Sequence, residues 1–333
     1  MATLRTIRLR IKGTKNIKQI TRAMEAVSAV KMRKSQGVAL TARPYATAAL
    51  KLLKSISASP RTDLGSEERS VLGEKREVKN TLLVVVTSDK GLAGSFNANV
   101  LKRAEVFIRS RSVEVKLLQD GRSLTSTISV ATVGKKAGDY FTRRGRTPIV
   151  ALTGYGDYAE ISEVQPIFDA VVEAFTSKKA DEVYVIYTNF LSAMKQEVVI
   201  RKLLPFSEEG LEEMVKGIVP ERGRFSSDEA QPQPQPQPRL AEVEPRQTEY
   251  LFEPSPKEIL ESILPALLKI QIYHAILEAN ASEHSSRMVA MRNATDNASE
   301  LIKSYTVVMN KARQSAINKE LAEITGGSEA LAN

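Results

Sequence analysis

The stretch Leu277–Ala316, LEANASEHSSRMVAMRNATDNASELIKSYTVVMNKARQSA, decides the fold. An alternating four-then-three spacing runs through it at Leu277, Ala281, His284, Met288, Met291, Thr295, Ala298, Ile302, Tyr305, Met309, Ala312 and Ala316, with no proline or glycine to stop it. That is the register of a coiled-coil seam. Alanines in the seam let a second helix come close, while few large aliphatics keep the contact weaker than a leucine zipper. The helical pattern spreads to about residues 257–331, a rod of roughly 110 Å if unbroken.

The other end of the chain has the same character. Residues 4–57 show almost no turn chemistry and predict a rod of roughly 80 Å. Its seam candidates are Leu4, Ile7 and Ile11, then Ile17, Ile20, Met24 and Val27, with a stutter between the two sets. A compact domain cannot bury such rods, so each must pair with the other or with partner proteins. Pro44 and Pro265 fall inside the two patterns and predict kinks, because proline removes one helical hydrogen bond and crowds the preceding turn.

Between the rods the period changes. Thr81–Thr87 (TLLVVVT), Val113–Leu118 (VEVKLL) and Glu182–Asn189 (EVYVIYTN) read as strands, the first and third buried, and Gln196–Leu204 as a further strand antiparallel to its predecessor. Segments 97–110, 135–144 and 162–177 read as helices, so this part alternates as an α/β layer domain. Residues 207–248 differ again. They contain QPQPQPQP at Gln231–Pro238, which precludes a helix and favours a polyproline tether of roughly 25 Å, expected to be exposed and largely disordered.

Composition narrows the chemistry. The 333 residues include no cysteine, which removes disulfides, thiolate metal sites and thiol nucleophiles together. His274 and His284 are the only imidazoles; ten residues apart, they lack an i, i+4 ligand spacing and are expected to be ordinary helix residues, so no metal or cofactor is expected. The longest aliphatic run, Leu82–Val86, is far short of the roughly 20 residues that span a bilayer. No signal-type apolar region is expected at the N-terminus. The net charge of +9 concentrates in residues 1–58, where thirteen lysines and arginines face a single acid, Glu25. Such a helix suits nucleic-acid phosphates, anionic lipid or acidic protein surfaces, and charge alone does not choose.

One stretch invites a catalytic reading. Ser88–Asn97 (SDKGLAGSFN) follows a buried strand and precedes a helix, where a glycine-rich turn could aim amides at a phosphate. Gly91 and Gly94 do not complete a dinucleotide fingerprint, however, and Lys90 precedes the glycines instead of following them as in a P-loop. The expectation is a tight turn in which glycine permits positive φ and Asn97 caps the next helix. Asp157 and Glu160 form a carboxylate pair with no histidine or ligand cluster beside it, and a solvated loop is expected there.

The most distinctive residues lie on the rods, and they carry a resemblance. Thr14-Lys15-Asn16-Ile17, Ile20-Thr21-Arg22-Ala23-Met24 and Lys31-Met32-Arg33-Lys34 resemble the N-terminal helix of the gamma subunit family of F-type rotary ATP synthases. Ser282-Glu283, Arg287 to Met291, Ala294 to Ala298, Asn310 to Gln314 and Glu320 to Gly327 resemble its C-terminal helix in order and spacing, and Ser88–Asn97 and Tyr250–Pro256 resemble its middle. The resemblance implies an α/β fold with long terminal helices: an antiparallel coiled coil of the two rods plus a central Rossmann-like α/β domain. The divisions expected are an N-terminal shaft helix at 1–58, the α/β foot at 78–206, a Pro/Gln-rich insertion at 207–249 and a C-terminal shaft helix at 255–331.

The resemblance also implies a function. The chain would be a non-catalytic rotor shaft within three alpha and three beta subunits, its foot beside epsilon and on the c-ring, coupling ion-driven rotation to ATP synthesis or hydrolysis. Its location would be peripheral, on the cytoplasmic face of a bacterial plasma membrane, or on the thylakoid or inner mitochondrial membrane of an organelle. Position by position, Met24 and Arg287 match coupling and assembly residues, Gln314 and Glu320 match contacts to the alpha–beta ring, and Tyr250 and Glu253 match foot residues near the c-ring. Asn318 replaces the family's usual threonine and Ser328 its alanine. Photosynthetic relatives carry an insertion in a comparable region, with two regulatory cysteines in the chloroplast form; the absence of cysteine here excludes disulfide control. The alternatives are a basic coiled-coil protein that binds nucleic acid, and a nucleotide-binding enzyme built on the turn near Gly91.

Overall fold

A computed structural model of the chain describes residues 4–41, 48, 78–117, 127–155, 160–206 and 256–332. The elements are α1 (Leu4–Thr41), β1 (Asn80–Val86), α2 (Phe96–Leu117), β2 (Thr127–Val133), α3 (Lys135–Thr142), β3 (Ala151–Leu152), α4 (Gln165–Thr176), β4 (Glu182–Phe190), β5 (Gln196–Leu204) and α5 (Pro256–Ala332). They form two compact units: Met1–Val30 with Arg287–Asn333, and Lys31–Ser286.

In the larger unit the five strands lie in the order β3-β2-β1-β4-β5. β1 pairs in parallel with β2 and β4, β2 in parallel with β3, and β5 closes the edge antiparallel to β4. The run LLVVV of β1 is continuous because both faces of this central strand are covered. Leu82, Val84 and Val86 pack with Ile167, Val171 and Phe175 of α4 and with Leu264, Leu267, Leu268, Ile272 and Ile276 of α5. Leu83 and Val85 point the other way, to Val100, Ala104 and Ile108 of α2 and to Ala137 and Phe141 of α3. Alternate residues of one strand thereby serve two cores, as the period of two requires.

β1, β4 and β5 fall where the sequence predicts them. Val113–Leu118 does not: Val113 to Leu117 continue α2 as helix, and the missing parallel strand is Thr127–Val133. VEVKLL alternates over too few residues to separate strand from helix. TISVATV is polar in appearance, yet its Thr, Ile and Val are β-branched, and Val130, Ala131, Thr132 and Val133 are all buried. Pro265 lies inside α5 without interrupting it as an element. Pro44, the insertion at 207–249 and Asp157 lie outside the described residues.

In the smaller unit the two terminal helices pair. Thr21 Oγ1 lies 2.7 Å from Thr295 Oγ1, both side chains being buried. Counted from that contact, an antiparallel register sets Lys18 against Ala298, Thr14 against Ile302, Ile11 against Tyr305 and Ile7 against Met309. All eight of these seam residues are buried or partly buried. The limits of the unit, Val30 on one helix and Arg287 on the other, fit the same register. The C-terminal seam is therefore the one expected from Met291 to Ala312.

The N-terminal seam is different from the expected one. Its covered positions are Leu4, Ile7, Ile11, Thr14, Lys18, Thr21, Glu25, Ser28, Met32, Ser35 and Ala39, an unbroken three-four repeat with no stutter. Ile17, Ile20 and Val27, expected in the seam, are 54%, 59% and 54% exposed. At the middle of the seam Lys18 and Thr21 stand opposite the small side chains Ala298 and Thr295. Of the two threonine protons, one crosses between helices, and the other stays on its own helix at Lys18 O (3.1 Å) or Met291 O (2.9 Å).

Candidate functional site

Two places were open to function: the mouth of the parallel sheet and the surface of the paired helices. In open α/β sheets ligands bind beyond the carboxyl ends of the strands, where the strand order reverses. Here that position follows β1, whose neighbours β2 and β4 come from opposite directions of winding.

The mouth is filled by the chain's own side chains. Asp89 accepts hydrogen bonds from Lys135 N at 2.7 Å and Gly154 N at 2.8 Å, so a carboxylate sits at the start of α3 where an anion would bind. Thr87 Oγ1 accepts from Ala137 N at 2.9 Å and donates to Val133 O at 3.2 Å. Gly134, at φ +93°, lies against Thr87: a Cβ there would stand 2.2 Å from Thr87 O. Tyr155 donates to the same carbonyl at 2.6 Å. Burial, with the carboxylates of Glu283 and Asp89 adding to it, pushes the Tyr155 phenol well above its ordinary range.

The glycine-rich turn is tight, as expected, although its details differ. Positive φ falls on Gly94 and on Leu92, not on Gly91. Asn97 lies inside α2 and does not cap it. Its Oδ1 accepts from Ser88 N at 3.0 Å and its Nδ2 donates to Ser88 Oγ at 2.8 Å, which ties the helix back to the end of β1. Ser88 N is therefore committed to Asn97, and the facing amides of Lys135, Ala137 and Gly154 to Asp89 and Thr87. Neither Asp89 nor Tyr155 stood out in the sequence, since their partners lie 46 to 68 residues away and meet them at one end of the sheet.

The remaining candidates are accounted for individually. Glu160 sits in an exposed turn where its own amide donates to Glu163 Oε2 at 3.0 Å. His274 is buried with Nε2 3.7 Å from Glu278 Oε1, and Glu278 Oε2 accepts from Phe190 N at 2.8 Å, tying α5 to the end of β4. His284 is buried as well. No group of three or more potential metal ligands occurs among the described residues.

On the paired helices, Met24 is half-buried beside the seam, and Ser28 Oγ donates to its carbonyl at 2.7 Å. Arg287 is buried. Gln314, Asn318 and Glu320 are exposed on the C-terminal part of α5, and beyond Ala312 the register gives that helix no partner among the described residues of α1. The four expected contact residues are not gathered into one pocket: Met24 stands level with Arg292, and at 1.5 Å per residue Gln314 is about 33 Å farther along. Tyr250 and Glu253 lie outside the described residues. What the sequence reading missed is an outward apolar stripe, Leu9, Ile17, Ile20, Val27 and Val30, all more than half exposed on a helix whose lysines and arginines face a single acid, Glu25. Following the three-four repeat forward from Ile7 without a stutter finds it.

The ATP synthase family matches residues 3–331. The chain is 39% identical over 332 residues to the ATP synthase gamma chain of Chloroflexus aurantiacus, covering 99% of both sequences. The chain belongs to the ATP synthase gamma chain family. Relatives of the same name include those of Roseiflexus castenholzii at 39% and Trichormus variabilis at 38% identity, again nearly end to end. Among solved structures, a chain of the Euglena gracilis mitochondrial ATP synthase (OSCP/F1/c-ring) matches with a TM-score of 0.59 at 19% identity, covering 98% of this chain and 94% of that one. A central stalk/c-ring chain of the Tetrahymena thermophila enzyme matches at 0.53 and 21%, covering 83% and 99%. These distant matches share the fold: long terminal helices paired with each other and a central α/β sheet. No helix of the described residues is long and apolar enough to cross a membrane.

Proposed function

We propose that this gamma chain is the non-catalytic rotor shaft of its ATP synthase, turning within three alpha and three beta subunits and joined at its foot to epsilon and the c-ring. The observation that carries the reading is the double character of α1. One heptad face is spent on α5, and a second, apolar and flanked by cations, is left outward. A single-chain rod with an exposed aliphatic stripe needs an enclosing partner. Thirteen cations against one acid over residues 1–58 select an acidic lining for that partner.

An asymmetric rod inside a threefold ring meets each catalytic subunit with different side chains. That difference in contact free energy is what shifts each subunit to a different nucleotide affinity as the rod turns. Met24, Arg287, Gln314 and Glu320 are the proposed contacts to the ring, and Tyr250 and Glu253 those of the foot to the c-ring. The proposed location is peripheral, at the membrane that carries the c-ring. The mouth of the sheet, closed by Asp89 and Tyr155, supports assigning nucleotide chemistry to other subunits. The proposed divisions are the shaft helices at 1–58 and 255–331, the foot at 78–206 and the insertion at 207–249.

Reconstitution tests this. The purified chain is mixed with cognate alpha and beta subunits, and native mass and ATP hydrolysis are measured with the chain alone as control. A complex of three alpha, three beta and one gamma, active only when complete, is the expected result. Failure of well-folded subunits to assemble would sink the shaft reading.

A further inference from the structure

The rotor reading names partners for the foot without saying which of its faces they use, and charge separates those faces. Phe96–Arg111 of α2 and Lys135–Arg146, comprising α3 and the turn after it, hold nine lysines and arginines against two acids, Glu105 and Asp139. Both acids are partly buried, and Glu105 Oε1 already faces Arg144 Nε at 3.9 Å. On the opposite side of the sheet, residues 160–176 hold four acids and no lysine or arginine. The α2–α3 side is thus the more basic, while on the other side Lys179 and Lys269 already face Glu173 and Gln165.

The positive side is built, not scattered. Lys102, Arg103, Arg109, Lys136, Arg143 and Arg146 are all exposed, and none of the six makes an ion pair among the described residues. Val106, 49% exposed, shares the outward stripe of α2 with Lys102 and Arg109 at spacings of four and three. Arg144 Cζ lies over the Tyr140 ring, 3.6 Å from its centroid, which covers that aromatic. A face for single-stranded nucleic acid needs open rings for stacking, and a membrane-surface face needs aromatic or bulky apolar anchors. Exposed arginines on α2 and at the end of α3, with Val106 the exposed aliphatic on the described part of α2, suit a protein surface, where guanidinium forks take carboxylates in pairs and a small apolar centre excludes water.

We propose that the outward side of the α2–α3 layer, centred on Val106, is a docking surface for an acidic protein segment. The segment places carboxylates over Arg103, Arg109 and Arg143 and an aliphatic side chain on Val106. This rests on the rotor reading only in the choice of preparation, and the two fail separately.

The absence of cysteine makes the test clean. Full-length chain carrying Val106→Cys, labelled with a benzophenone maleimide, replaces the native chain, and a gentle extract holding both membranes and soluble proteins is irradiated. Asp169→Cys on the acidic side serves as the comparison position. The expected adduct at Val106→Cys joins a protein peptide of net negative charge, identified by mass spectrometry. Its yield should fall about tenfold between 50 and 500 mM salt, as screening shortens the range of charge pairing. The same loss is expected in a Lys102→Glu/Arg109→Glu/Arg143→Glu background in which the chain still co-purifies with its complex. No adduct at Val106→Cys, an adduct with lipid or nucleic acid only, a neutral or basic peptide, or a yield indifferent to salt would each overturn the proposal. A chain that co-purifies with no ATP synthase subunit overturns the rotor reading instead, whatever the adduct is.

Discussion

Replacing Thr21 and Thr295 by valine, singly and together, tests the register on which the paired helices rest. The two hydroxyls touch at 2.7 Å in a seam where the side chains are 8% and 9% exposed. Thr21→Val leaves Thr295 only its own helix at Met291 O; Thr295→Val leaves Thr21 only Lys18 O, at a longer 3.1 Å. Each single change removes one buried hydrogen bond, about 1 kcal/mol, because the isosteric methyl leaves no cavity to add to it. The double change removes both partners at once and leaves two methyls in contact, so it should lie within about 0.5 kcal/mol of the native chain. The coupling energy of the cycle is then about 1–2 kcal/mol. Urea unfolding followed by the helical circular dichroism signal, with unchanged slopes, measures all four. Additive losses, or single changes that cost nothing, would refute the contact and with it the register. A chemical check is independent: Lys18→Cys/Ala298→Cys should oxidise to a disulfide in this cysteine-free chain, and Ile17→Cys/Ala298→Cys should not.

Changing Ile17, Ile20 and Val27 together to serine should leave the stability of the isolated chain within about 0.5 kcal/mol, since these side chains already meet water, yet should weaken assembly in the reconstitution described above. Gly134→Ala should destabilise by about 3 kcal/mol or more, because φ +93° is strained for alanine and its Cβ would stand 2.2 Å from backbone oxygen; chemical denaturation reads it. Leu267→Ala, at a position with no exposure in the core between α5 and the sheet, should cost about 2–5 kcal/mol in the same assay. Tyr155 and Tyr187 have phenols raised mainly by burial, so the unfolded chain loses these protons near pH 10 while the folded chain keeps them. Stability should therefore be indifferent to both below that pH and fall above it by about 1.4 kcal/mol per pH unit for each, with phenolate absorbance appearing only as the fold opens.

Much of the molecule is legible along the chain, for a physical reason. β1, β4 and α4 carry strong local periods and bury their apolar residues wherever a sheet forms, so pattern and structure agree. The C-terminal seam is legible because Met291, Thr295, Ala298 and Ile302 keep one register with no competing stripe. The N-terminal helix has two stripes, and the more hydrophobic one is the wrong one. Ile17, Ile20 and Val27 look like a seam by composition, while Thr14, Lys18, Thr21 and Ser28 take the contact. Only the opposing surface of α5, with Thr295 and Ala298 at that level, decides between them. The same holds at the mouth of the sheet. Ser88–Asn97 has a glycine-rich turn after a buried strand, and only the fold shows Asp89 of that turn taking the facing amides of Lys135 and Gly154. By itself the sequence determined that long helices flank an α/β layer and to which family they belong, because periodicity and ordered motifs are local properties. Tertiary structure alone decided which face of α1 is inside and which loop amides are already spent, because both are settled by residues distant in the chain competing for the same surface.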